Sequence, residues 1–419
     1  MRYAIIGNGV AGVTAAFTLR EREPKAEITL ISGESDYFFS RTALMYALMD
    51  RMTLRDLEPY ERNVYEKQKI RRVRDWVTDL DGAARRLRLR SKGEVAYDRL
   101  LIATGSRPNL FPWKGLDRIQ SGLVHFVTLE DLQAVEKAIR PGGRAVVIGG
   151  GLIGVELVEC LVHHGMQVTF LVLEDWYWPI AFGREEGEMV ADHIRGHGVD
   201  LRVQEEAVEF HSNADGGVSH VETKAGSSYP CELLGIAVGV HPAVEWLRGV
   251  ATPPRVEKGV VVSPDFRTSL EDVWAAGDCA EIRRDGEKPL IEQIWYSAKL
   301  QGEMAAKSML GDRIDYRPPL FYNSSRFFEV DYTTVGAVNQ APEGAQSFYR
   351  RIPGKCASLR IVHHEGAVIG FNMLGSRWDH AWFEKWIAER RGLDYVLAHL
   401  HVAQFDAEFS RLKLEGVTA

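Results

Sequence analysis

Residues 3–12 read Tyr3-Ala4-Ile5-Ile6-Gly7-Asn8-Gly9-Val10-Ala11-Gly12, and residues 145–154 read Ala145-Val146-Val147-Ile148-Gly149-Gly150-Gly151-Leu152-Ile153-Gly154. Each is a short apolar run, then G-x-G-x-x-G, then a segment with helical spacing of apolar residues (Val13 to Leu19; Val155 to His164). The order is strand, tight turn, helix. The first glycine permits the turn, the second lets a pyrophosphate approach the backbone, and the third lets helix and strand pack closely. The free N–H groups and positive dipole end of the helix then face the phosphates. A second β run follows each fingerprint by about 20 residues, at Ile28 to Ile31 and at Val168 to Val172.

The duplication extends further. Tyr97 to Pro108 contains a buried-strand pattern ending in Ala103-Thr104-Gly105, and Leu233 to Val240 with His241-Pro242 closes the second unit in the same way. Two dinucleotide-binding units imply two dinucleotides, and electron transfer between them is the chemistry that pairing serves.

The chain has 419 residues, enough for two to three domains, with 45% hydrophobic and 26% charged residues. Its formal net charge of −7 disfavours a polyanion-binding surface, so no nucleic-acid partner is expected. No apolar run approaches the roughly 20 residues of a transmembrane helix, and Tyr3 to Leu19 is too interrupted by glycine for a secretory signal. A cytoplasmic location fits the four scattered cysteines, Cys160, Cys231, Cys279 and Cys356, which form no CxxC. No metal site is expected; His399-x-His401 with Asp406 lacks the spacing of a compact ligand set.

Val273-Trp274-Ala275-Ala276-Gly277-Asp278-Cys279-Ala280 adds a third motif. With the first fingerprint and Ala103-Thr104-Gly105, it resembles the FAD-dependent pyridine nucleotide-disulfide oxidoreductase superfamily over about residues 1 to 316. The similarity lies nearest the ferredoxin, rubredoxin and nitrite reductases that lack a redox-active cysteine. This resemblance implies an α/β fold with two Rossmann-like domains: an FAD domain over 1–112 and 248–316, and an NAD domain over 113–247. A C-terminal α+β interface or dimerisation domain would occupy 317–419. Alternating aromatic runs at Arg326 to Tyr332, Ser358 to His363 and Ala367 to Met373 predict strands there, and Trp378 to Leu400 predicts a helix.

By the same resemblance, Gly7, Gly9, Gly12, Ala103, Thr104, Gly105, Gly277 and Asp278 hold FAD, Glu34 takes its ribose and Arg41 its pyrophosphate. Trp295, at the start of a helix from Ile294 to Leu310, either flanks the isoalloxazine or packs. Gly149, Gly151 and Gly154 hold NADH, with Glu156 near the nicotinamide. The usual ribose-binding acid position is Val172, 18 residues past Gly154, so Glu174 or Asp175 is the substitute. No Lys or Arg lies between Gln167 and Gly183, which favours NADH over NADPH.

No cysteine precedes Cys160, and residues 41–50, where some relatives hold a redox cysteine, contain none. The expected reaction is therefore hydride transfer from NADH to flavin N5, then electrons to a ferredoxin- or rubredoxin-like carrier, with flavin N5 as reacting centre and no catalytic side chain assigned. Two alternatives stay open. One is the flavoprotein subunit of a complex with an iron-sulfur or cytochrome partner and weak NADH use; the other is a non-enzymatic flavin-binding redox sensor.

Overall fold

The computed structural model describes residues 1–405, which form two compact units. The first contains Met1–Leu110, Phe126–Ala134 and Gly239–Pro318; the second contains Phe111–His125, Val135–Val238 and the chain from Pro319 onward.

In the first unit a five-stranded parallel sheet runs in the order Val273–Ala275, Arg99–Ile102, Arg2–Ile6, Glu27–Ser32, Ile70–Arg74. These strands are near-continuous apolar runs because both sheet faces are covered; Ala4, Ile5, Leu100, Leu101 and Ala275 are fully buried. Helices Val10–Arg22 and Trp295–Met309 approach so closely that a Cβ on Gly302 would lie 2.2 Å from the Ala11 carbonyl oxygen. A three-stranded antiparallel sheet, Val77–Asp81, Arg86–Leu89 and Glu94–Ala96, completes the unit's main sheets.

The second unit repeats the plan. Its parallel sheet runs Asp200–Arg202, Gln167–Leu171, Arg144–Ile148, Leu233–Ile236, Leu123–Val124, with helix Leu152–His163 following the central strand. An antiparallel sheet of Ala207–Ser212, Val218–Thr223 and Ser228–Pro230 is attached. Residues 319–405 fold into a five-stranded antiparallel sheet backed by two helices, within this same compact unit.

Two expectations for the C-terminal region need correction. Arg326 to Tyr332 is not one strand: Tyr322–Phe327 and Val330–Gly336 form a hairpin, turned by Phe328 and Glu329 at φ +44° and +65°. Trp378 to Leu400 is not one helix: His380–Ala388 and Leu393–His399 are separated where Arg390 adopts φ +51° ahead of Gly392. Asp379 starts the first of these by accepting the Ala381 N–H at 3.0 Å. Asp406 lies outside the described residues.

Candidate functional site

The two fingerprints have nearly the same backbone. Gly7 and Gly149 adopt φ +112° and +109°, and their N–H groups donate to Ile31 and Leu171 carbonyls at 2.8 and 3.0 Å. A Cβ on Gly12 or Gly154 would meet the Gly7 or Gly149 carbonyl oxygen at 2.0 Å, so only glycine allows helix and strand this close. Gly9 and Gly151 cap their helices at φ/ψ −80°/−176° and −83°/−174°. Nothing lies within 4 Å of a Cβ built on either one. Each helix therefore presents its unpaired N–H groups to open space beside a backbone that a phosphate can approach.

Around the first cradle the sequence-predicted residues converge. Gly105 (φ +70°) is also open above its Cα, and the Thr104 hydroxyl is tied to the Ala243 carbonyl at 2.9 Å. Gly277 (φ +79°) turns the chain beneath Ala11, and Asp278 accepts the Ser106 hydroxyl at 2.8 Å. Burial pushes the Asp278 carboxyl up, opposed by the Ser106 bond and the positive charge of Arg41. Arg41 itself is bound: both Nη atoms reach Glu34, and Nη1 also donates to the Val127 carbonyl at 2.8 Å. Glu34 further accepts the Leu129 N–H at 3.0 Å. Glu34 and Arg41, assigned separately to ribose and pyrophosphate, thus form an ion pair whose charge lies within influence of Asp278. Asn8 Oδ1 and Trp295 Nε1 are buried without a hydrogen-bond partner, which a bound polar group would supply.

Sequence reasoning missed a network behind this cradle. Glu292 Oε1 accepts the Ser297 hydroxyl at 2.8 Å, and Oε2 accepts Gln301 Nε2 at 3.0 Å and the Tyr316 hydroxyl at 2.6 Å. Gln301 Oε1 in turn accepts the Gly277 N–H at 2.9 Å. One carboxylate thereby ties the first turns of helix Trp295–Met309 to the Gly277-Asp278 turn. Burial, together with Glu292, pushes the Tyr316 phenol well up, so it remains a donor. Of the side chains in this network the sequence placed only Ser297 and Gln301, as positions within the expected helix Ile294 to Leu310.

In the second cradle Glu156 lies one position into the first full turn after Gly154. Burial pushes its carboxyl up to about 8, reinforced by the charge of Glu159. The Tyr177 hydroxyl, also buried and without a partner, is pushed up by burial and by Glu156. Val172, where an acid is usual, is fully buried, and its Cγ1 would be 3.0 Å from a Cβ on Gly150. It is part of the floor, so its apolar character is a packing requirement. Glu174 is exposed on the rim, its carbonyl accepting the Gln204 N–H at 3.0 Å. An open cavity of about 330 Å³ adjoins it, lined by Leu173, Asp175, Gln204, Glu206, Lys224 and Ala225. The 167–183 window missed Lys224, which arrives from a distant hairpin and is held by Glu206 at 2.9 Å.

None of the four cysteines is in a disulfide. Burial pushes the Cys231 and Cys356 thiols up to about 12 and that of Cys279 upward as well, so these three are held as thiols.

Two cradles of one geometry, each at the C-terminal edge of its own parallel sheet, define a two-dinucleotide oxidoreductase fold. The chain belongs to the pyridine nucleotide-disulphide oxidoreductase family, which it matches over residues 1–302. It is 31% identical over 320 residues to the ferredoxin–NAD(+) reductase component of the biphenyl dioxygenase system of Paraburkholderia xenovorans (strain LB400), covering 74% of this chain and 75% of that one. It is 26% identical over 352 residues to the epsilon subunit of the NADH-dependent phenylglyoxylate dehydrogenase of Aromatoleum evansii, covering 82% and 81%. In fold it resembles the ferredoxin reductase of the CYP199A2 system from Rhodopseudomonas palustris, with a TM-score of 0.82, 22% identity and full coverage of both chains. Among the described residues no helix is long and apolar enough to cross a membrane.

Proposed function

We infer that the protein is an FAD-dependent NADH:acceptor oxidoreductase that delivers electrons to a small ferredoxin- or rubredoxin-like carrier. The observation that carries this reading is the pair of matching open cradles, one in each unit, with Gly9 and Gly151 free above the Cα. FAD in the first cradle supplies a centre that takes two electrons from NADH and releases them to a carrier.

The residues present fit that group. The Val10–Arg22 helix N-terminus binds the pyrophosphate, and Gly7, Gly9 and Gly12 let it approach. Ala103, Thr104, Gly105 and Gly277 shape the adjoining wall, while Ser106 orients the Asp278 carboxylate toward polyol hydroxyls. The Glu34–Arg41 pair acts as one unit at the adenosine end, and Trp295 contributes an aromatic face with an unused N–H. In the second cradle Gly149, Gly151 and Gly154 receive the NADH pyrophosphate, and Glu174 with the acidic cavity beside it receives the adenosine ribose. Glu156, holding its proton near neutral pH, positions the nicotinamide carboxamide as a neutral hydrogen-bonding group. The proposed domain division is FAD over 1–112 and 248–316, NADH over 113–247, and an interface domain from 317 that supports a homodimer; the proposed location is the cytoplasm.

The test is anaerobic stopped-flow mixing with NADH and, separately, NADPH, following oxidised-flavin absorbance. Fast bleaching by NADH is expected. Bound FAD that neither nucleotide bleaches would overturn the reductase reading.

A second reading is favoured by the match to the phenylglyoxylate dehydrogenase epsilon subunit, which spans about four-fifths of both chains. Here the protein is the flavoprotein subunit of a larger electron-transfer complex. Stoichiometric co-purification with an iron-sulfur partner, and turnover only in that complex, would select it.

A further inference from the structure

The antiparallel pair Ala207–Ser212 and Val218–Thr223 carries a cluster of side chains unrelated to either cradle. Phe210 and Val221 are register partners and point into the core. Because side chains alternate along a strand, Glu209, His211, His220 and Glu222 share the opposite face, with Glu209 paired to Glu222 and His211 to His220. The imidazoles are stacked, 4.1 Å between centroids and 5° from parallel. His211 Nε2 lies 3.5 Å from Glu222 Oε1 and 3.8 Å from Glu209 Oε1, and His220 Nε2 lies 3.7 Å from Glu222 Oε1.

This arrangement breaks a local rule of sheet pairing, since like charges directly opposed across strands are destabilising. Lys114 Nζ relieves one of them, bonding Glu209 Oε2 at 2.6 Å. Glu222 faces both imidazoles with no cation of its own beside it among the ion pairs described. The tautomer of His220 is also set: the Ser219 hydroxyl donates to the His211 carbonyl at 3.1 Å, so it accepts from His220 Nδ1 at 3.0 Å. That leaves the Nε2 lone pair facing the cluster, as an outer hydrogen bond does for a metal-bound histidine. His211 Nε2 is buried and has no hydrogen-bond partner.

We propose that His211, His220 and Glu222, with Glu209 as an adjacent carboxylate, bind a divalent transition-metal ion of the zinc type that clamps this hairpin. One ligand atom from each of His211, His220 and Glu222 fits within 4.8 Å of the others. Bond lengths of about 2.0–2.2 Å place tetrahedral ligands roughly 3.3–3.6 Å apart, close to the 3.5 and 3.7 Å found between Glu222 and the two imidazoles; the parallel stack holds the two in-plane lone pairs side by side, so binding turns the rings out of the stack until both reach one ion. Two imidazoles and a carboxylate suit zinc in preference to magnesium or calcium, which take all-oxygen sets.

The experiment uses the untagged, flavin-loaded full chain, freed of metal by EDTA and titrated with Zn²⁺ by calorimetry. About one equivalent should bind with micromolar or tighter affinity. His211→Gln and His220→Gln should each weaken that binding by more than about tenfold, whereas His401→Gln should not. Both histidines are half-buried and lie outside the packed core, and an unchanged flavin spectrum verifies the fold. Absence of saturable binding, or affinity within threefold of the parent in either histidine variant, overturns the proposal.

Discussion

Glu156 shows how one carboxyl can serve the site and burden the fold. Its pKa rises from the usual 4.5 to about 8 because burial disfavours the charge and Glu159 repels it. The folded protein therefore keeps a proton that the unfolded chain releases near 4.5, so this group's contribution to stability declines as pH rises from about 4.5 to about 8. Glu156→Gln should remove that decline: urea midpoints of parent and variant should diverge with pH, the variant gaining toward pH 8. The same variant should retain FAD. Asp278→Ala should instead loosen FAD by about tenfold or more, since it deletes a partly buried hydrogen-bonding carboxyl; equilibrium dialysis of the flavin measures this. Glu206 has a different setting, pairing with Lys224 beside the second cradle's rim. Glu206→Ala should free that cation and lower the NADH-over-NADPH ratio of kcat/KM by about tenfold, the effect of roughly one charged hydrogen bond.

At the level of elements, helix Trp295–Met309 depends on a carboxylate that precedes it. Glu292 bonds Ser297, Gln301 and Tyr316, and through Gln301 it fixes the Gly277 turn. Glu292→Gln keeps the shape but replaces an acceptor by a donor opposite existing donors. It should weaken FAD binding and shift the flavin reduction potential, whereas Tyr316→Phe, losing one hydroxyl bond worth about 1 kcal/mol, should lower stability with less effect on the potential. Spectroelectrochemical titration of both variants checks this. The contrast also shows what was readable in advance. The cradles were, because Gly7, Gly12, Gly149 and Gly154 meet a local geometric demand that leaves a local mark. The partners of Glu292, Glu34 and Lys224 were not visible, because these pairings, some only 5 to 9 residues apart, are set by the course of irregular loops and turns, which leaves no fixed spacing in the sequence. The C-terminal hairpin was misread for a related reason: Phe328 and Glu329 turn the chain with left-handed conformations that carry no glycine to announce them.

Across the whole molecule, the parallel sheet of the second unit repeats that of the first, with the same central order. The departures from the repeat are where function is selected. Ser32 ends the second strand of the first unit and Glu34 follows it, whereas Val172 forms a buried floor and an acidic, lysine-containing cavity forms the rim in the other.

The near-identity of Gly7 and Gly149, within a few degrees of φ, has a consequence for selectivity. FAD and NADH share an ADP half, and a cradle built from backbone N–H groups recognises that half alone. Neither turn discriminates between its own cofactor and the other's. In flavin-stripped protein ADP should therefore bind at two ports, with two equivalents in calorimetry, and a Gly151→Asp block should leave one. In the flavin-loaded protein the first port is filled, and added ADP should then slow flavin bleaching by NADH in competition at the second port alone.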